Sequence, residues 1–368
     1  MFLPQIVILF FFISVLEDSG YLPRAAFLVD RMFSWCGLSG RSLIPLLTSF
    51  ACAVPGIMST RTIENRRVRF MTILVAPLMS CSARLPVYTI LIAAFIPHTS
   101  ILGLFNLQGL VLAAMYLIGI LVAVVIAFLL KKTTKRPTIG SFLMELPPYR
   151  VPTAQVVGIR VWTRARMFLV RAGTIILAIT IIIWALSYYP QAESAATADD
   201  TTVTLQGTGN VPSAAQQEEL QAGAQLRNSY LGQAGRALEP VFKPLGWDWK
   251  ITMAALASFP AREVIISTLG TIYNLGRNQD ETSVSLIEKM REARWDHGPK
   301  LGQPVFSPAV ALSIMVFFAL CAQCAATLVT IRQETGNWKY SVFTFVYMTT
   351  LAYLGGALTY QVLSRLGW

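Results

Sequence analysis

From Leu85 to Leu130 the chain carries no formal charge, a stretch more than twice the ~20 residues that one bilayer-crossing helix requires. Such a run predicts two membrane spans, with Pro97, His98 and Asn106 marking the turn between them. Composition agrees. The chain has 368 residues, 54% of them hydrophobic and only 13% charged, and its mean hydropathy is +0.56. A soluble domain carries about 25% charged residues. The predicted class is an all-α polytopic membrane protein with about seven or eight membrane segments, two of them interrupted by proline. A net charge of +11 would suit a nucleic-acid partner, but the basic residues cluster in loops between apolar runs, the pattern of a positive-inside membrane protein. Arg61, Arg66, Arg67 and Arg69 face one acid, Glu64, and residues 131–166 carry eight basic residues against Glu145 alone. Both loops are predicted cytoplasmic, and 190–250 is predicted outside.

The rest of the chain divides around these loops. Residues 1–16 lack the basic start and small-residue cleavage site of a signal peptide, so they read as a membrane helix closed by Glu17-Asp18-Ser19-Gly20. Residues 21–40 form an amphipathic connection. Ser42–Thr60 is uncharged and about long enough to span, with an interruption at 53–56. Residues 167–189 cross again. Residues 190–212 read as a disordered outer loop, and 213–243 as an amphipathic helix on the outer surface. Ile251–Gly276 is a second interrupted segment, cut at Phe259-Pro260. The mixed-charge loop 277–306 gives no orientation, and 307–331 and 340–364 read as two clean spans. The expected organisation is a first interrupted region over 1–100, core spans over 101–189, an outer loop and helix over 190–250, a second interrupted region over 251–330, and a C-terminal span over 331–368.

The interruptions carry the chemistry. Pro55 and Pro260 sit inside apolar segments, and Pro77 and Pro86 bracket the polar run Ser80-Cys81-Ser82-Ala83-Arg84. Backbone freed from a helix at membrane depth must be satisfied by protein or by a water-filled cavity, so broken segments read as the lining of a transport path. The two regions echo each other: Ser49-Phe50…Pro55 matches Ser258-Phe259-Pro260, and Cys81-Ser82-Ala83 matches Cys324-Ala325-Ala326. Of five cysteines, an odd number, Cys52, Cys81 and Cys324 fall at or near breaks. Thiolates favour soft and borderline cations over Mg²⁺, and two or three of them make an open site, where a full Cys₄ set would trap the ion. The competing reading is that each cysteine is a small apolar filler, and Cys36 is assigned that role. Glu263 is the acid of the second break. It either faces a cavity as a cation ligand or pairs with Arg262 or Arg84. Arg84 is expected to donate to carbonyls that the break frees. The chain contains no G-x-x-x-x-G-K-[ST], G-x-S-x-G or H-E-x-x-H, so it has no phosphate loop of its own and no enzyme motif.

These segments resemble a known family. FLPQIVILFFFISVLEDSGYLPRAAF, FACAVPGIMSTRTIENRRVRFMTILVAPLMSCSARLPVY, ASFPAREVIISTLGTIYNLG and QCAATLVTIRQETGNWKY are similar, in order, to the C-terminal membrane region of FeoB, the bacterial ferrous iron transporters. The resemblance covers nearly all of the chain except 190–212. It implies Fe²⁺ uptake across the inner membrane through two "gate" modules, with Cys52, Cys81 and Cys324 at gate-cysteine positions, Glu263 in the second gate, and Pro55, Ser80, Ser82, Arg84 and Pro260 as gate-shaping residues. It implies no permanently bound cofactor. It also implies a GTPase domain, either in a missing N-terminal part or as a separate polypeptide, small cytosolic Feo proteins as partners, and no nucleic acid. GTP is assigned to no residue here, and a homo-oligomer is left open. A carrier of nucleosides or another small solute is the alternative on the same fold. It predicts amide and aromatic side chains at the breaks where cysteines stand. A non-transporting membrane subunit is the third reading, and it gives no reason for polar breaks in two places.

Overall fold

The computed structural model describes residues 2–97, 99–101, 105–133, 148–190, 225–260, 262, 264–272, 284–295, 302–322 and 324–366. Among these the chain is helical apart from short 3₁₀ turns, loops and one minimal hairpin, β1 (Ser100–Ile101) against β2 (Phe105–Asn106). Five helical stretches, 66–95, 107–133, 154–188, 308–335 and 338–365, are long and apolar enough to cross a bilayer. The protein is an all-α, multi-pass membrane protein. His98, Glu263, His297, the middle of the basic loop (134–147), and residues 191–224, which take in nearly all of the expected outer loop (190–212) and the start of the expected outer helix (213–243), lie outside the described residues.

α1 (Phe2–Asp18) runs antiparallel to α8 (Ala154–Tyr188), because its terminal acids meet the bases at the start of α8. Arg150 Nη2 lies 3.2 Å from Asp18 Oδ1 and Arg164 Nη2 3.0 Å from Glu17 Oε2. α2 (Tyr21–Trp35) is amphipathic, burying Leu22 and Ala26 and exposing Phe27, Leu28 and Met32.

The segment expected to span at Ser42–Thr60 does not span. It folds into a helical hairpin, α3 (Leu43–Ala51) and α4 (Ala53–Ser59). Nine helical residues reach about 13 Å, under half of a ~30 Å hydrocarbon core. The turn is Cys52, in an extended conformation (φ −153°, ψ 131°). Gly56 permits the close return: a Cβ there would overlap Ser49 Oγ and lie 2.8 Å from the Pro45 carbonyl. Pro55 is not at the break but in the first turn of α4, where its missing N–H leaves no bond unmade.

The next crossing is interrupted midway. Asn65 caps α5 (Arg66–Val75) by accepting from the N–H groups of Arg67 and Val68. A 3₁₀ turn at Ala76–Leu78, extended backbone at 79–81 and a second turn at Ser82–Arg84 lead into α6 (Leu85–Phe95). α7 (Leu107–Thr133) returns, and Lys131 Nζ at its end donates to the Ser34 and Trp35 carbonyls at 3.1 and 2.9 Å. At the far end of α8, the Tyr230 N–H donates to the Tyr189 carbonyl at 2.9 Å, so α9 (Tyr230–Phe242) lies on the opposite face from Lys131.

α10 (Trp249–Ala257) and α11 (Val264–Ile272) form a second hairpin entering from that opposite face. Its two ends meet the same segment: Gly235 packs on the Trp249 carbonyl, and Arg227 Nη2 lies 3.5 Å from the Ile272 carbonyl. α12 (Val284–Glu292) stays on this face, with Arg291 Nε donating to Ala94 O at 2.7 Å. The crossing expected to be clean over 307–331 is interrupted. α13 (Pro308–Leu320) ends at extended Cys321, and α14 (Ala325–Thr335) starts after extended Cys324. Gly336 in the left-handed region (φ 71°) ends α14, and α15 (Trp338–Arg365) closes the fold.

The chain is therefore two copies of one device, a re-entrant hairpin followed by an interrupted span. The first hairpin opens toward the face of Arg41, Arg61 and Lys131, the second toward the face of α9 and α12. The interrupted spans run in opposite senses, so the repeat is inverted.

Candidate functional site

The two hairpin tips and the two interruptions converge on one cavity of about 150 Å³. Cys52 comes from the first tip, Cys81 from the first interruption, Cys324 from the second interruption, and Pro260 and Arg262 from the second tip. The first interruption also contributes Pro77, Met79, Ser82 and Ala83, and Phe168 and Ile176 of α8, Thr327 and Leu328 of α14 and Thr344 of α15 form part of the wall. All three cysteines hold the same local position: each is an extended residue immediately before a helical turn. A half-helix that starts at mid-depth leaves its first N–H groups without intrahelical partners, and extended backbone just before it turns the side chain away from the helix.

Two arginines, buried with 0% and 5% exposure, hold the interruptions open. Arg84 donates from Nη2 to the Pro77 carbonyl at 3.3 Å, and from Nη1 to the Leu78 carbonyl at 3.4 Å and Ser80 Oγ at 3.2 Å. Arg262 reaches across to the other interrupted span, donating from Nη1 to the Phe318 carbonyl and from Nη2 to the Cys321 carbonyl at 2.7 Å. These four carbonyls are the acceptors that broken helices would otherwise leave bare at membrane depth. Ser82 Oγ donates to the Ala51 carbonyl at 3.1 Å and ties the first interruption to the first tip.

Of the residues singled out in the sequence, the structure thus gathers Cys52, Cys81, Cys324, Ser82 and Pro260 around one space. Ser80 and Arg84 stand behind the wall, Ser80 against Gly119 of α7. Pro55 belongs to the hairpin, and Glu263 lies outside the described residues. Cys36 ends α2, away from the cavity. Sequence reasoning missed Met79, whose thioether is a soft donor two residues before Cys81, and it treated Arg262 only as a partner for Glu263. Phe168 and Thr344 carry no local signal, since they reach the cavity from unbroken helices. Among the described residues no three His, Cys, Asp or Glu side chains are grouped closely enough to hold a metal ion. The sulfur atoms ring a cavity whose walls would have to move to form a tighter set.

The profile of the Gate family, described as "Nucleoside recognition", matches residues 1–95 and 169–338, and that described as "Ferrous iron transport protein B C terminus" matches 112–164. The chain is 44% identical to an "Fe(2+) transport protein A/Fe(2+) transporter FeoB fusion protein" of Porphyromonas gingivalis, over 98% of this chain and 42% of that protein. It is 41% identical to an "Fe(2+) transporter FeoB" of Leptospira biflexa, over 100% of this chain and 49% of the relative. A Methanocaldococcus jannaschii "Fe(2+) transporter FeoB" is 36% identical over 99% and 48%. The chain spans about half the length of these relatives. No solved structure matches. The chain belongs to the Gate family and, within it, to the FeoB family, of which it is the C-terminal membrane region.

Proposed function

We propose that this chain is the permease part of a ferrous iron uptake system in the bacterial inner membrane, and that Fe²⁺ passes through the cavity where the two gates meet. The observation that carries this reading is the convergence of three cysteines, from three separate half-helix starts, on one space. Soft sulfur donors in an incomplete set suit a borderline ion that must bind and then leave. Relatives bearing the name Fe(2+) transporter support the choice of ion. The nucleoside reading fits less well. A cavity of about 150 Å³ is below the ~300–1,000 Å³ of pockets for larger organic ligands, and its described lining offers no amide or carboxylate side chain.

The reading includes a GTPase domain outside this chain as the energy source, as the family resemblance implies; the sequence itself carries no phosphate loop. The Porphyromonas gingivalis relative is named as a fusion with Fe(2+) transport protein A, which supports a small Feo protein as a further partner. The test is ⁵⁵Fe²⁺ uptake into proteoliposomes containing the chain and its GTPase. Uptake resistant to excess adenosine and dependent on the cysteines is expected. Uptake of adenosine in place of iron would overturn the reading. The purified chain alone should show no GTP binding above background, and micromolar binding would refute that assignment.

A further inference from the structure

α4 and α14 pack against each other, and each begins at a cavity cysteine, Cys52 or Cys324. Both then run toward the basic face, where their far ends are joined. Glu334, in the last turn of α14, accepts from Arg61 Nε at 3.0 Å (Oε1) and 2.9 Å (Oε2), from Arg61 Nη2 at 2.6 Å, and from Arg69 Nη2 at 2.8 Å. Arg61 follows α4 by two residues, and Arg69 lies in α5. The carboxylate is the buried member: its side chain is 2% exposed, against 55% and 29% for Arg61 and Arg69. A carboxylate at a helix C-terminus opposes the helix dipole, and here the guanidiniums of Arg61 and Arg69 offset it. Arg69 Nε is buried without a hydrogen-bond partner, so the closed arrangement leaves one donor that rearrangement can satisfy.

We propose that the Arg61–Glu334–Arg69 cluster is the latch that holds the gate closed. It fixes the register of α4 on α14, and it must release before Cys52 and Cys324 can move relative to each other. Rigid half-helices transmit a displacement from one end to the other, so a partner that engages the 60–69 hairpin acts on the cysteines without touching them. The proposal rests on the cavity being the path of the ion, and its test separates the two claims. The chain, with native cysteines present, is reconstituted and treated with N-ethylmaleimide, and alkylation of Cys52 and Cys324 is followed peptide by peptide by mass spectrometry, alongside passive ⁵⁵Fe²⁺ leak. Glu334→Gln removes the charge and keeps the size. Arg61→Ala, at a mostly exposed side chain, tests the same contact where folding is least at risk. Both variants should raise the alkylation rate by about tenfold or more, the population change produced by ~1.4 kcal/mol, and should raise the leak. If Arg61→Ala leaves alkylation at the parental rate, the cluster is a static brace and the latch is wrong. Faster alkylation with no added leak would keep the latch and overturn the cavity as the ion's path.

Discussion

A cysteine that lines the cavity and one that does not should respond differently to the same atom change. Cys81→Ser keeps the size and a hydroxyl but removes the soft donor. Iron uptake in the reconstituted system should fall by about tenfold or more, the scale on which altering a metal's donor environment acts, while insertion and helix content stay unchanged. Cys36→Ser should leave uptake as it was. Cys36 ends α2 and is not among the residues that line the cavity. If Cys81→Ser and Cys324→Ser both transport like the parent, the path is built from carbonyls and hydroxyls. Arg262→Leu should lower thermal stability in detergent by about 1–3 kcal/mol, because it removes the guanidinium donations to the Phe318 and Cys321 carbonyls. An unchanged melting temperature would mean that water replaces the guanidinium. Much of this was legible. A thiol among small residues beside a proline announces itself, whereas the carbonyls that Arg262 serves lie more than fifty residues away and leave no local trace.

Helices carry the information that the sequence hides best. A run of nineteen uncharged residues has the same composition whether it crosses once or folds back on itself, and Gly56 records the difference. Gly56→Ala should separate α3 from α4 at Ser49 and Pro45, costing about 1–3 kcal/mol as overpacking does. Gly158→Ala in α8, where a Cβ would meet nothing within 4 Å, should be neutral or slightly stabilising, because alanine is the better helix former. Melting the two variants side by side decides it, and equal losses would mean that the hairpin is not tightly packed. One proline misled: Pro55 stands in the first turn of a helix, as Pro86 and Pro308 do, while the interruptions include cysteines whose extended backbone no propensity scale anticipates. Cys321–Cys324 shows the same limit, since the apolar run around it reads as continuous.

Across the whole molecule, charge and topology agree on one face. Arg41, Arg61, Arg69 and Lys131 all come to the side where the first hairpin opens, which the positive-inside rule assigns to the cytoplasm. In intact cells, a membrane-impermeant thiol reagent should label Gln233→Cys on α9 and spare Thr133→Cys at the end of α7, and the opposite pattern would invert the assignment. The hydropathy of the chain made the spans visible, and the short echo between its halves made the duplication visible. The inverted sense needed coordinates, because two copies read the same along the chain whether they cross the membrane in the same or in opposite senses. The three cavity cysteines stand on three separate half-helix starts, and that has a spectroscopic consequence. If the proposed ion path is right, the number of sulfur atoms that reach the ion is set by how the half-helices stand, and ligand number becomes a gauge of conformation. Cobalt(II), whose near-ultraviolet sulfur-to-metal charge-transfer band strengthens with each thiolate bound, would report that arrangement as an absorbance.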